Sequence, residues 1–460
     1  MNINEDKIPI KVIFAVIATG LMSFSGVIVE TATNVTFPIL MNEFKINTSY
    51  VQWMTTIYLL AVSAIIPLSA FFKRSFRLKR LFLTANLLFL TGILLDVMAN
   101  NFPLLLIGRV IQGIGTGIAL PLMFNIILER VPQKKIGMMM GIGTLITAIA
   151  PAIGPTFGGI VAFNLGWRYI FIFLIPILLI SLFLGLTSIE QKSEIQREKI
   201  NIIDIIMIIV AFSGLILGIN KISENIVLAI ASSIIGIFCL LSLIYRSNKS
   251  DSPIIHFKIF KNISFTFHII AFFIFQMLAL GMSFLLPNYI QLVNSSSSTI
   301  AGLLVFPGAT LGGLFAPFSG MILDKLGATK PILIGVSIVL LSLILFSIFG
   351  MNLSNTLICI FYIIFMIGTG LSFGNIMTDG QKKLDLSMVT DGNAIFNTLQ
   401  QFAGAVGTSL VSMIVSLSQS NTNIDYAVAT AQGSRNSFVV LLVLCSIQLI
   451  ILYKTLSKEK

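Results

Sequence analysis

The 460-residue chain is 56% hydrophobic and 10% charged, with a mean hydropathy of +0.99. Soluble domains carry about 45–50% apolar and about 25% charged residues, so this composition excludes an ordinary water-soluble globular protein. The net charge of +11, from 29 Lys and Arg against 18 Asp and Glu, would by itself admit a nucleic-acid partner.

A helix needs about 20 apolar residues to cross a bilayer. The apolar runs predict spans near 11–40, 50–72, 81–99, 103–128, 137–162, 169–188, 203–220, 226–245, 263–287, 300–323, 331–349, 354–377, 391–418 and 436–454. The expected fold is therefore an all-α integral membrane protein with 14 transmembrane helices. Placing the N-terminus in the cytoplasm puts 24 of the 29 basic residues on that side. Only Lys45, Arg168, Lys221 and Arg435 fall opposite, and Arg109 lies within a span. That asymmetry is the positive-inside pattern, which puts both termini in the cytoplasm and makes the basic excess topological. No nucleic-acid partner is expected; the lipid bilayer is. The start, MNINEDKIPIK, is too polar and acidic for a signal-peptide n-region, so the first span is expected to be retained.

The first span, VIFAVIATGLMSFSGVIVETATNVTFPIL, contains Glu30. A charge held at that depth costs about 2.5–3.5 kcal/mol even on the lenient insertion scale. Such a residue points to proton or cation handling, and hence to a protein that moves solutes. Asn34 lies one helical turn on, on the same face. In the third span, Asp96 precedes Ala-Asn-Asn and reads either as an interfacial carboxylate or as a second proton or cation site.

The fourth span, LLLIGRVIQGIGTGIALP, holds Arg109 near its outer end, a depth that Glu30 can share. A neighbouring Arg favours the ionised carboxylate while burial disfavours it, so a group poised between the two can change protonation as access changes. The alternative is a static buried ion pair joining two helices. The glycines after Gln112 lack a preceding strand, so close helix packing through Gly113 and Gly117 is expected rather than nucleotide binding.

The fifth span, GIGTLITAIAPAIGPTFGGI, sets Pro151 and Pro155 among Gly143, Gly154, Gly158 and Gly159. Proline removes a backbone donor and bends a helix, and glycine admits a close neighbour, so the stretch can act as a hinge or tight seal.

Short basic loops follow the second span (SAFFKRSFRLKR, 69–80) and the tenth (GMILDKLGATK, 320–330), at matching places in two six-span blocks. The expected organisation is an N-terminal six-helix half over 1–190, a linker with two additional spans over 191–262, and a C-terminal half over 263–460. Two related halves around a midplane site is a common secondary-transporter architecture. Polar or aromatic candidates for a central cavity are Asn34, Gln52, Trp53, Tyr58, Asn125, Gln276, Tyr289, Asn375, Asn397 and Gln400, since such cavities are mostly apolar with a few orienting polar groups.

Cys239, Cys359 and Cys445 fall within apolar spans at spacings that match no metal motif, and read as small buried hydrophobes. No metal site, cofactor or enzyme activity is expected. The longest polar stretches, 189–202 and 246–262, are linker-sized, leaving no room for a nucleotide-hydrolysing domain. Uphill transport would have to draw on an ion gradient or a partner.

Together, VETATNVTFP (29–38), RVIQGIGTG (109–117), APAIGPTFGG (150–159), WRYIF (167–171) and GNAIFNTLQQFAGAVGTSL (392–410) resemble the motifs of the fourteen-helix drug:proton antiporters of the major facilitator superfamily. The likeness extends over nearly the whole chain. It implies a monomeric exporter in a bacterial plasma membrane, exchanging inward protons for outward amphipathic, often cationic drugs or dyes. Export of one dedicated cargo is the alternative. The resemblance implies that Glu30 and Arg109 couple protons and that the fifth-helix motif carries the rocking motion; Asp96 is the candidate that could share the proton with Glu30. Two departures stand out. The first-helix acid of the family is usually Asp, and here it is Glu30. The loop after helix two lacks the family's Asp, with Lys73 or Arg74 in its place, and only the second-half copy keeps an acid, Asp324.

Overall fold

The computed structural model describes residues 8–132, 136–191, 201–222, 225–250, 257–385, 388–420 and 424–457. Fourteen long helices run through these residues: α1 Ile10–Asn34, α2 Thr48–Leu68, α3 Leu78–Val97, α4 Phe102–Arg130, α5 Ile136–Asn164, α6 Arg168–Ser188, α7 Ile202–Lys221, α8 Ile226–Lys249, α9 Ile263–Leu292, α10 Ser298–Leu326, α11 Thr329–Phe349, α12 Asn355–Lys382, α13 Val389–Gln419 and α14 Tyr426–Ser457. Among the described residues, thirteen meet both the length and the apolarity needed to cross a membrane. The fourteenth, α5, is 29 residues long, and many of its side chains lie outside the described set. All-helical architecture meets the demand of a bilayer that every backbone N–H and C=O be satisfied internally, here within each segment.

Successive helices alternate in direction. One face of the bundle collects the start of α1 and the end of α14 (the basic face), and the far face collects the turns after α1, α3, α5, α9 and α11. Several helices restart on an Asn or Ser cap that takes an otherwise orphaned backbone N–H. The side chains of Asn101, Asn225, Asn262, Ser297 and Ser354 accept from Leu104, Leu228, Phe265, Ile300 and Leu357 respectively.

Two helix ends differ from the apolar pattern, each for a local reason. The first run extends to residue 40, but α1 stops at Asn34 and a short helix, Phe37–Phe44, follows. Pro38 lacks the N–H that would continue the ladder. The last apolar run begins near 436, yet α14 starts at Tyr426. Its first turns, YAVATAQGSR, form a helix while being too polar to register as an embedded segment.

Within the first six helices, α1 packs against α4, α5 and α6, and α4 also packs on α2 and α3. Within the last six, α9 packs on α12, α13 and α14, while α12 lies against α10 and α11. The α7–α8 pair packs chiefly on itself, with α7 touching α2 and α13. The two groups of six meet along α2–α13 and α5–α10.

The far-face ends of these paired helices are tied together. Thr48 Oγ1 donates to Gln419 Oε1 at 2.6 Å. The hydroxyls of Ser298 and Thr299 both donate to the Gly159 carbonyl at 3.2 Å, and Thr156 Oγ1 donates to the Gly302 carbonyl at 3.0 Å. Close approach here depends on missing side chains. A Cβ on Gly159 would lie 3.0 Å from the Ser298 carbonyl carbon and nearer still to its oxygen, and one on Gly302 would lie 2.9 Å from Thr156 Cα.

Candidate transport site

The site begins with a packing fact in the first half. Gly26 on α1 lets Thr116 of α4 and the Tyr58 hydroxyl of α2 approach closely. The Tyr58 hydroxyl sits 2.9 Å from the Gly26 carbonyl and 3.0 Å from Thr116 Oγ1, pinning three helices together. The Arg109 guanidinium lies over the Tyr58 ring, 4.3 Å from its centroid. Stacking of a cation on an aromatic face is worth about 2 kcal/mol or more where water is excluded.

Arg109 is fully buried. Its Nε donates to the Met54 carbonyl at 3.1 Å and its Nη1 to Gln112 Oε1 at 2.7 Å. Gln112 in turn donates through Nε2 to Asp96 Oδ2 at 2.6 Å. Asp96 is fully buried in the last turn of α3, with its other carboxylate oxygen against Gly108. The chain Arg109–Gln112–Asp96 thus holds a guanidinium and a carboxyl group one amide apart between α3 and α4. Arg109 Nη2 and Asp96 Oδ1 remain without a hydrogen-bond partner.

Glu30 is 8% exposed. It lies in the electrostatic field of Arg109 but is not ion-paired with it. Buried carboxylates among the described residues are Glu30, Asp96, Asp204 and Asp379. Asp96 has Gln112, Asp204 pairs with Arg246 at 2.7 Å, and Asp379 pairs with His268 at 2.9 Å. Among the described residues, Glu30 alone of these four has neither a side-chain hydrogen bond nor an ion pair. A carboxylate at that depth without a fixed cation is available to a mobile one, a proton or a cationic ligand.

Asn34, one turn from Glu30, bridges the halves. It accepts from Thr55 Oγ1 of α2 at 2.8 Å and donates to Ser283 Oγ of α9 at 3.0 Å. Gln52 binds Asn220 of α7 at 3.1 Å, accepts from Thr56 and lies 3.4 Å from Ser409 of α13, fastening the additional helix pair to the seam.

The remaining cavity candidates are dispersed. Tyr289 is fully buried, and its hydroxyl accepts from Leu353 N at 3.1 Å in the turn before α12. Asn375 bonds Ser319 and the Leu371 carbonyl, and Asn397 bonds back to Asn393. Trp53, Asn125, Gln276 and Gln400 are partly or wholly buried, with no side-chain hydrogen bond among the described residues.

Of the fifth-helix motif, Gly154 lies against Thr31, Gly158 against the Ala32 backbone and Gly159 against Ser298, while Gly143 lies by Met123 and Phe124. Gly302 packs on the Pro155 carbonyl. The side chains of Pro151 and Asp324 lie outside the described residues. In WRYIF, Trp167 and Arg168 both bind Glu43, at 2.7 and 2.9 Å, joining α6 to the short helix after α1. Among the described residues, no cluster of His, Cys, Asp and Glu could hold a metal ion.

Several residues that shape the site carry little sequence signal. Gln112 sits three residues after Arg109, on the same face, and that spacing was the one available clue. Ser283, Asn220, Ser298 and Ser409 come from distant segments, and nothing local marks them.

The helix bundle, with ionisable side chains buried between its helices, is that of a polytopic membrane protein. The sequence profile described as Major Facilitator Superfamily matches residues 19–408, and the chain belongs to that superfamily. A lincomycin resistance protein, LmrB, of Listeria innocua serovar 6a is 33% identical over 408 residues, covering 88% of this chain and 87% of that one. A multidrug resistance protein B homolog of Mycobacterium tuberculosis is 25% identical over 398 residues, covering 85% and 73%. Among solved structures, a bacterial homolog of the human lysosomal transporter Spinster shares the fold, with a TM-score of 0.70 at 15% identity over 97% of each chain.

Proposed function

We infer that the protein is a drug efflux transporter of the bacterial plasma membrane, driven by inward proton movement, with both termini in the cytoplasm. The similarity to a lincomycin resistance protein over 88% of the chain supports the efflux of drugs. The observation that carries proton coupling is Glu30, buried between helices yet bound to no fixed partner.

In this mechanism Glu30 takes a proton when the site faces outward, as substrate leaves. It gives the proton up when the site faces the cytoplasm, and the carboxylate then favours an amphipathic cation. Each charge entering gains about 2.3 kcal/mol per 100 mV. Arg109 acts on Glu30 through its field rather than by contact, because its hydrogen bonds are committed to Met54 and, through Gln112, toward Asp96. Asp96 helps hold Arg109 in place. The two six-helix groups move against each other, with the Gly159–Ser298 and Thr48–Gln419 ties closing the far face, the external one in this topology. The working unit is a monomer, and protons and small-molecule drugs or dyes are its partners.

The test is substrate-induced proton movement in proteoliposomes containing wild type or Glu30→Gln. The variant keeps the shape and should fold, but should show no proton movement on adding drug. Unchanged exchange in Glu30→Gln would remove Glu30 as the coupling group.

A further inference from the structure

The additional helix pair carries a feature that the transport mechanism does not use. Where α7 begins and α8 ends, on the basic face, a recess of about 330 Å³ opens between Asn201, Asp204, Tyr245, Arg246, Lys249 and Ser250. Arg246 Nε donates to Asp204 Oδ1 at 2.7 Å, closing the base of the recess. A guanidinium has five N–H donors, and this bond uses one of them. Lys249 Nζ donates to the Tyr245 hydroxyl at 2.5 Å and lies 4.4 Å from the ring centroid, using one of its three donors there. Among the described lining residues, two cations stand against one carboxylate, a net charge of +1.

The recess lies at the end of an apolar track. Along α8, Val227, Ile234, Phe238, Leu241 and Tyr245 are all exposed, and their spacing of three, four or seven residues places them on one side of the helix. This track faces the bilayer and ends at the two cations, which is the arrangement a phospholipid would meet with its acyl chains along the helix and its phosphate at the recess.

We propose that this recess binds the phosphate group of an anionic phospholipid, with Arg246 and Lys249 as its ligands. Basic pockets between transmembrane helices suit anionic headgroups, and a juxtamembrane base is worth about 1 kcal/mol toward them. The phosphate approaches from the side away from Asp204, whose carboxylate is turned onto Arg246. A fork-shaped guanidinium gives the phosphate oxygens two-point contact, and the ammonium adds a point charge. The α7–α8 pair is in this way anchored to the leaflet at one end and to the helix seam, through Asn220 and Gln52, at the other.

The test uses purified full-length protein in neutral detergent with a fluorescent phosphatidylglycerol as probe. Unlabelled phosphatidylglycerol should displace the probe at least about tenfold better than phosphatidylcholine. Lys249→Glu should weaken binding about fivefold or more, as should Arg246→Gln combined with Asp204→Asn, a pair that leaves no buried charge uncompensated. Lys454→Glu, an equal charge change at the end of α14, should bind as wild type does. Gel-filtration profiles confirm that each variant folds. Equal displacement by phosphatidylcholine, or an equal loss in Lys454→Glu, would overturn the proposal. So would displacement by inorganic phosphate at the lipid's own concentration, which would make this a free-anion site.

Discussion

Gly159→Ala isolates the seam between the two six-helix groups from the packing within either group. The added methyl would lie 3.0 Å from the Ser298 carbonyl carbon and closer to its oxygen, where ordinary contact begins at 3.4 Å. The obstacle is backbone, so no side-chain rotation relieves it, and α5 and α10 must part at the far face. Overpacking of this kind costs about 1–3 kcal/mol. That cost falls only on conformations in which α5 and α10 touch there. A penalty of about 2 kcal/mol is a factor of about 30, which takes a closed population of about nine in ten down to roughly one in four. The measurement is a spin-label distance distribution between Asn164→Cys and Ser295→Cys, with the three native cysteines replaced by serine. The short-distance population should shrink and a longer one grow, while the folded state as a whole loses only about 1 kcal/mol, less than the full penalty, because the alternative conformation accommodates the methyl. An unchanged distribution in a folded variant would refute the idea that this glycine seam holds the far face shut.

Three further outcomes are expected. Gly158→Ala places its methyl 2.8 Å from the Ala32 Cα and carbonyl carbon and closer still to the carbonyl oxygen, inside one six-helix group; it should lower the unfolding temperature in every conformation, by the equivalent of about 1–3 kcal/mol, which a thermal-shift assay reads directly. Gln112→Leu leaves Asp96 Oδ2 and Arg109 Nη1 without their shared partner; each orphaned group costs about 1–3 kcal/mol, more for charged ones, so thermal stability should fall and Gln112→Glu should behave differently from Leu. Glu190 accepts from Lys11 at 2.7 Å and from Arg130 at 3.0 Å on the basic face, and these bonds hold its carboxyl below the usual Glu range. A depressed carboxyl contributes its stabilisation above its unfolded value and loses it as pH falls through the lowered one. Amide-exchange protection factors at the start of α1, which take out the intrinsic pH dependence of exchange, should therefore fall on acidification below the usual Glu range in wild type and stay constant over that interval in Glu190→Gln.

Much of the fold was legible because a bilayer imposes a one-dimensional rule. Each crossing must be an apolar run of fixed length, and basic loops mark one side. The breaks that the rule missed came from polar stretches that are nevertheless helical, such as Tyr426–Arg435, and from Pro38, where hydropathy continues but the hydrogen-bond ladder cannot. At the site, Glu30, Asp96 and Arg109 were visible singly, since a charge in an apolar run is costly wherever its neighbours lie. Their connections were not visible. Glu30 and Arg109 share a depth, yet the guanidinium reaches toward Asp96 through Gln112, because α3 and α4 pack closely at Gly92 and Gly108.

Sequence by itself determined that this chain spans a membrane many times, that it carries charge where charge is expensive, and that its fifth helix can admit close neighbours. These follow from composition and spacing along one strand of residues. Only the tertiary structure decided which buried carboxylate is left unpartnered, and which glycines close a seam between the halves rather than pack within one. Hydrogen bonds such as Asn34–Ser283 and Gln52–Asn220 join residues 249 and 168 positions apart. No local pattern encodes such pairs; they exist because packing of whole helices brings the two positions to the same depth and the same face.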